Sequence, residues 1–227
     1  IGGVAQTEFA GPLTWGLAVF AQQTDIVTGN GTGEADAMGL GLFAGFERGA
    51  WRIDMGLAYA GLDLDLSRSV APGVTARGRT DADAVIASFE ASYDMAGGPV
   101  DASPYLGLDY VHVSTDAYTE SGAGVLNLDV AASDLSIGFA RIGVDFAADP
   151  ISLGRGGVVR PSGQIGLEHA FGDTDAVTGS TLAALPGGTF TDTAAGFDDL
   201  MLTVGAGLVY ERGAVSAHLR YDGSFGE

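Results

Sequence analysis

Apolar side chains recur at every second position through most of this chain, and that period fixes the fold class before any other feature is considered. Period two sends alternate side chains to opposite faces of a strand, whereas an amphipathic helix needs a period near 3.6. Trp15, Leu17 and Val19 alternate with Gly16 and Ala18, and Leu40, Leu42, Ala44 and Phe46 follow the stretch from Thr28 to Gly33. Gly49 and Ala50 predict a tight hairpin turn. Ile53, Met55, Leu57 and Tyr59, set against Asp54, Gly56 and Ala58, predict the next strand. Leu62, Leu64 and Leu66 then sit on the other parity, and one extra residue near Gly61, a β-bulge, is expected to reconcile the two runs.

The pattern continues to the end. Val85 to Met95 alternates with Ser88, Glu90, Ser92 and Asp94 and stops at Gly97, Gly98 and Pro99. Leu106, Leu108 and Tyr110 face away from Gly107 and Asp109. Leu126, Leu128 and Val130, against Asn127 and Asp129, predict a strand that runs on less regularly through Ile137 and Phe139 to Phe146. Pro161 opens a run with Ile165, Leu167, His169 and Phe171 on one face and Gln164, Gly166, Glu168 and Ala170 on the other. Gly172 to Asp199 reads as a long loop or a pair of splayed strand extensions. Leu200 to Tyr210 and Val215 to Tyr221 restore the alternation, with Glu211 on the polar side of the first run and Ser216, His218, Arg220 and Asp222 on that of the second. Nine strands are legible, a tenth is expected near Ala5 to Phe9, helix is nearly nil, and residues 1–227 read as a single domain.

Composition removes several function classes. Thirty-seven glycines without a three-residue period exclude collagen, and 46% hydrophobic residues exclude a flexible linker. Twenty-nine acids against 10 bases, a net charge of −19, leave no basic patch for a nucleic-acid backbone. Without cysteine there is no disulfide and no Cys-ligated metal site. The first residues show no basic region followed by an apolar run, so a mature or excised chain is expected. No stretch approaches the length of a transmembrane helix.

A two-faced antiparallel sheet either buries its apolar face in a sandwich or turns it to lipid in a barrel. Runs of about ten residues match a tilted strand crossing a bilayer, where sandwich strands are about half as long. Short turns (Arg48 to Ala50, Met95 to Asp101, Arg212 to Gly213) alternate with long polar segments (Val70 to Asp83, Thr115 to Val125, Gly172 to Asp199), as expected for short periplasmic turns and long outer loops. The fold class is therefore all-β, an antiparallel transmembrane barrel of outer-membrane type. Aromatic residues on the apolar parity are girdle candidates: Trp15, Trp51, Tyr59, Tyr93, Tyr110, Phe171, Tyr210 and Tyr221. On the polar parity, Glu90, Asp109, Asp129, Arg141, Gln164, Glu168, Glu211, His218 and Arg220 are candidates for lining the lumen.

Pro104 to His112, followed by Tyr118-Thr119-Glu120-Ser121-Gly122, Asn127 to Val130 and Ile137 to Gly143, resembles the translocator barrel of autotransporters (type V secretion). The family pattern is a strand opening with Pro and aromatic residues, an aromatic-x-Glu-x-Gly corner, a Leu-x-Val strand, and a glycine-containing strand with Arg. Phe89 to Tyr93, Pro161 to Asp173 and Tyr221 to Gly226 are similar to further family strands, so the likeness spans roughly residues 35 to 227. It implies a twelve-strand barrel in the outer membrane of a Gram-negative bacterium that anchors and helps export an N-terminal passenger. Insertion by the barrel assembly machinery and contact with outer-membrane lipid and lipopolysaccharide are implied partners. The family's closing strand should begin where this chain stops, at Glu227, and the helix that usually threads the lumen is not visible.

Catalytic readings are weaker. Nucleophilic catalysis needs a base beside a hydroxyl, yet His112 and His169 fall on the apolar parity and only His218 shares a polar face with acids. Asp63, Asp65, Asp81 and Asp83 lack the spacing of an EF-hand loop and read as a solvated rim. No enzyme activity, cofactor or metal is expected. The rival reading is a standalone small outer-membrane barrel acting as a pore or adhesin through acidic loops; an enzyme using rim acids and a soluble sugar-binding sandwich are further ones.

Overall fold

The computed structural model describes the chain except residues 1, 2, 9, 10, 28, 29, 155, 176, 185–188, 194, 195, 197, 214 and 227, with backbone alone at 3–8, 189, 190 and 192. In chain order the strands are β1 (Gly3–Glu8), β2 (Leu13–Val27), β3 (Gly31–Arg48), β4 (Trp51–Ala71), β5 (Val74–Tyr93), β6 (Val100–Thr115), β7 (Tyr118–Thr119) and β8 (Leu128–Val130). They continue with β9 (Ser133–Ala148), β10 (Ile151–Gly154), β11 (Gly157–Gly172), β12 (Val177–Leu182), β13 (Thr189–Thr193), β14 (Leu200–Arg212) and β15 (Val215–Gly226). A 3₁₀ turn over Gly124–Leu126 is the one helical element among the described residues.

One antiparallel sheet follows the order β1-β2-β3-β4-β5-β6-β9-β11-β14-β15, with β10 added to β11. Each long strand pairs with its neighbours along the chain, and the sheet curls like the wall of a barrel, with β1 and β15 at its two ends. The expected tenth strand is β1, although Phe9 lies outside the described residues. A second sheet, β13-β12-β8-β7, is built from the two longest connections. Thus Leu128 to Val130 does not run into Phe146 as expected: it belongs to this smaller sheet, and the wall strand starts afresh at Ser133. Gly172 to Asp199 likewise holds β12 and β13.

Cross-strand partners share a face, so the register assigns every side chain to one side of the wall. Leu13, Phe46, Ile53, Ala91, Leu106, Ile142, Leu167, Leu202 and Phe225 form one continuous outward row. These apolar side chains stay open: Leu57 is 54% exposed, Leu167 46% and Leu219 70%. Burial falls on the opposite face, at Ala60, Ala76, Ala84, Tyr105, Ile137 and Ala170. A water-soluble sandwich would bury the first set; a wall in hydrocarbon presents it to lipid.

At Tyr59 both faces change character. Beyond it the outward rows become Gln23-Asp36-Asp63-Asp81 and Asp25-Glu34-Asp65-Arg79, while Leu62, Leu64 and Leu66 turn inward opposite Ala82, Thr80 and Gly78. The register of β4 against both neighbours runs unbroken through Gly61, so the expected β-bulge is absent there; the one irregularity of that pair lies between Ser69 and Ala71. The physical reason is environment. Trp51 to Tyr59 supplies nine residues, about the span of one tilted strand across a bilayer. The remaining twelve residues of β4, about 40 Å of strand, stand in water outside it. For the same reason Val70 to Asp83 is not a loop but the upper part of β4 and β5, closed by a tight turn at Pro72 and Gly73.

Arg79 pairs with Asp65 at 2.8 Å on this exposed extension, and the guanidinium's hydrogen bonds hold the Asp65 carboxyl below its ordinary value. A depressed carboxyl contributes stability above its unfolded value of 3.8 and loses it as pH falls through the native one. Limited proteolysis of the β4–β5 tip is therefore expected to accelerate below that value in the native protein, with Asp65→Asn already at the acid-end rate at neutral pH. The effect is small because both partners face solvent.

Candidate functional site

The polar face of the wall carries two linked clusters of side chains. The register stacks Thr14, Gly45, Asp54, Glu90, Gly107, Arg141 and Glu168 in one row and Gly56, Ser88, Asp109 and Phe139 in the next. Arg141 reaches sideways across this grid, pairing with Asp109 at 2.7 Å and Glu90 at 3.8 Å. It can do so because Gly107 lies beneath it: a Cβ there would stand 3.2 Å from the guanidinium. Its Nε is buried with no hydrogen-bond partner among the described residues. Asp54, Glu90, Ser88 and Phe43 line a cleft of about 730 Å³ beside it. Asp109 and Glu90 thus hold the guanidinium, Asp54 and Glu168 share the row of Arg141 in the register, and the surplus of charge along these rows is negative.

A second cluster lies nearer the short turns. Tyr105, 6% exposed, lies over Gly143 and Gly166, where neither glycine could carry a Cβ without striking its hydroxyl. Its hydroxyl accepts from Gln164 Nε2 at 2.9 Å, Gln164 Oε1 accepts from Arg220 Nη2 at 2.9 Å, and Arg220 Nε donates to Asp222 at 2.8 Å. Asp145 and Ser103 complete the row through Gln164. Replacing Gly143 by valine is expected to expel Tyr105 and block folding of the barrel, read as loss of the heat-modifiable gel band. Tyr105→Phe, which keeps the ring, should fold.

The face assignments of the remaining sequence candidates are plain. Glu211 pairs with Arg160 at 3.6 Å, and His218 bonds Ser216 at 2.9 Å, both on the polar face near the short turns. Asp129 is not on the wall at all: it sits exposed in β8, accepting from Thr119 Oγ1 at 2.7 Å. Its apparent alternation with Leu128 and Val130 belongs to a loop sheet, which a local pattern cannot distinguish from a wall strand. Trp15, Trp51, Tyr59, Tyr93, Tyr110, Phe171, Tyr210 and Tyr221 all share the outward face. Trp51 and Tyr93 meet edge to face at 5.0 Å by the short turn after Arg48, and Tyr59 bonds Asp83 at the opposite boundary. His112 and His169 also face outward, held by Ser136 at 2.9 Å and the Asp199 carbonyl at 2.6 Å.

Arg68 was missed by the sequence reading, although Glu120 stands in the aromatic-x-Glu-x-Gly corner. Arg68 grips Glu120 through two bonds of 3.0 and 2.5 Å, and Glu120, 7% exposed, also accepts from the Leu128 amide at 2.9 Å. Tyr118 lies on Gly78, and burial raises its phenol above the ordinary value, with Glu120 adding to the rise. Gly122 adopts φ +95°, a left-handed conformation that only glycine takes freely, and its missing Cβ leaves room for the Thr75 carbonyl. Tyr118, Glu120 and Gly122 of the corner therefore fasten the β7–β8 hairpin to β4 and β5.

A curled meander with lipid-compatible outer belt, charged inner face and water-borne strand extensions defines an outer-membrane β-barrel. The family model described as "Autotransporter beta-domain" matches residues 3–222. This chain belongs to the autotransporter β-domain family, and its role is that of an outer-membrane translocator with a fused passenger segment. The translocator domain of autotransporter NalP from Neisseria meningitidis is similar in fold, with TM-score 0.69 and 15% identity over 98% of this chain and 73% of that one. The β domain of the Bordetella autotransporter BrkA is similar too, at TM-score 0.63 and 16% identity over 98% and 82% of the two chains. No curated protein sequence matches.

Proposed function

We propose that residues 1–227 act as one barrel-wall domain whose polar face lines the route of the exported passenger, without turnover chemistry of its own. The observation that carries this reading is the reversal of polarity at Tyr59, apolar outside and charged inside below it, acidic outside and apolar inside above it. Glu90, Asp109, Arg141, Gln164, Glu168, Glu211, His218 and Arg220 line the aqueous side, and the eight outward aromatic residues anchor the wall at or near the membrane boundaries. Lipid and lipopolysaccharide surround the outer belt, and the barrel assembly machinery inserts the chain. The surplus of acid around Arg141 favours passage of cations and of basic passenger segments. In planar bilayers the full-length protein should conduct cations in preference to anions, and Glu90→Gln with Glu168→Gln should weaken that preference. Equal permeability before and after substitution would remove the inner face from the path. A passenger exported at the normal rate by the same double variant would leave the selectivity without a role in secretion.

A further inference from the structure

Charge on the outward face is divided by height. All outward-facing carboxylates of the wall strands lie at or above the Tyr59 boundary, among them Asp25, Glu34, Asp63 and Asp83. Below it, the outward parity of the described strands contains no Asp or Glu, because Glu47, Asp54, Glu90, Asp101, Asp109, Asp145, Glu168, Glu211 and Asp222 all point inward. Two arginines face outward at that lower end. Arg48 is opposite Trp51 in the register, beside the Trp51–Tyr93 pair, and Arg212 follows Tyr210 by two residues in the next-to-last strand. Both are exposed, and neither has an ion pair or side-chain hydrogen bond among the described residues; Arg77 is also without one, but it stands on the water-borne extension above the boundary, and Arg52, Arg68, Arg79, Arg141, Arg160 and Arg220 each hold a carboxylate.

An arginine left unpaired next to an interfacial aromatic residue, twice over at one end of a lipid-facing wall, is placed to meet phosphate in a bilayer surface. We propose that Arg48 and Arg212 bind the phosphates of anionic phospholipid in the periplasmic leaflet, so that the lower rim gathers such lipid. This inference rests on the outer-membrane reading above. The apolar belt immediately above each arginine receives the acyl chains, which a free phosphate ion lacks. A guanidinium near a membrane surface enriches anionic lipid about fivefold.

The test uses the full-length protein folded into phosphatidylcholine vesicles containing phosphatidylglycerol, with bromine on the acyl chains of one lipid at a time. Fluorescence quenched in the native protein but missing from Trp51→Phe isolates Trp51. Brominated phosphatidylglycerol should quench Trp51 as if enriched about fivefold over brominated phosphatidylcholine. Arg48→Gln should abolish the enrichment and Arg48→Lys should keep most of it. A Tyr210→Trp reporter should respond in the same way to Arg212→Gln. Equal quenching by the two lipids in the native protein, or enrichment unchanged in Arg48→Gln, overturns the proposal. So does loss of the preference on adding inorganic phosphate, which would mark a general anion site. Failure of the native protein to enter vesicles at all, seen as no heat-modifiable band, would instead sink the barrel reading on which the proposal stands.

Discussion

Placing an arginine at Met55 is expected to cost the folded protein about 2–4 kcal/mol, while an arginine at Asp63, eight residues further along the same face, should change stability by less than about 0.5 kcal/mol. Met55 is at the midpoint of the Trp51–Tyr59 segment and points outward, where an unpaired guanidinium would sit in hydrocarbon. Asp63 points the same way but from the part of β4 that carries an acidic row, where a positive charge meets water and carboxylates. Urea titrations of protein folded in vesicles measure both. Equal losses at the two positions would mean that the boundary at Tyr59 is misplaced. A harmless Met55→Arg would mean that this face never meets lipid.

Arg68→Ala should destabilise the upper part of the barrel by about 2–3 kcal/mol, because it strands the Glu120 carboxylate in a buried position. The value lies below that of a fully buried pair since Arg68 itself is 30% exposed. Only the Leu128 amide would still bind the carboxylate, and the β7–β8 hairpin should become cleavable between Ser121 and Asn127. The double change Arg68→Met with Glu120→Leu removes both charges and should recover most of the loss. A single variant that is as stable and as protease-resistant as the native protein would show that the hairpin is held by Tyr118 on Gly78 rather than by the ion pair.

Strand identity and face were legible because one period governs each wall strand, and the outward set Leu106, Leu108 and Tyr110 could be read directly. What failed was the inference from a parity change to a broken strand. The apolar parity switches to Leu62, Leu64 and Leu66 not because the backbone slips but because the outer side of the strand passes from lipid to water. A sequence pattern reports which side is apolar, not which solvent lies there, so a straight strand leaving a bilayer looks like a bulged one. Asp129 was misread for a related reason: three alternating residues suit a loop hairpin as well as a wall. Within the polar clusters, Glu90, Asp109 and Arg141 were each legible as inward residues, but their meeting depends on the empty place over Gly107 and on a register that spans β5, β6 and β9. Arg68 and Glu120 are separated by the whole of β5 and β6, 52 residues along the chain, and no local pattern joins them.

Because the wall pairs each long strand only with its chain neighbours, the chain can assemble stepwise, one hairpin after another. The two-residue link after Arg48 costs little entropy to close, and the wide detours after Thr115 and Gly172 each fold into a hairpin, β7–β8 and β12–β13, that meets the other in one small sheet. From β3 to β15 each long wall strand finds its edge on the long strand just before it, and only the small sheet, where β12 meets β8, waits for a more distant part of the polypeptide. Growth by accretion suits a protein that must be built inside a membrane, where an orphaned amide has no water to turn to.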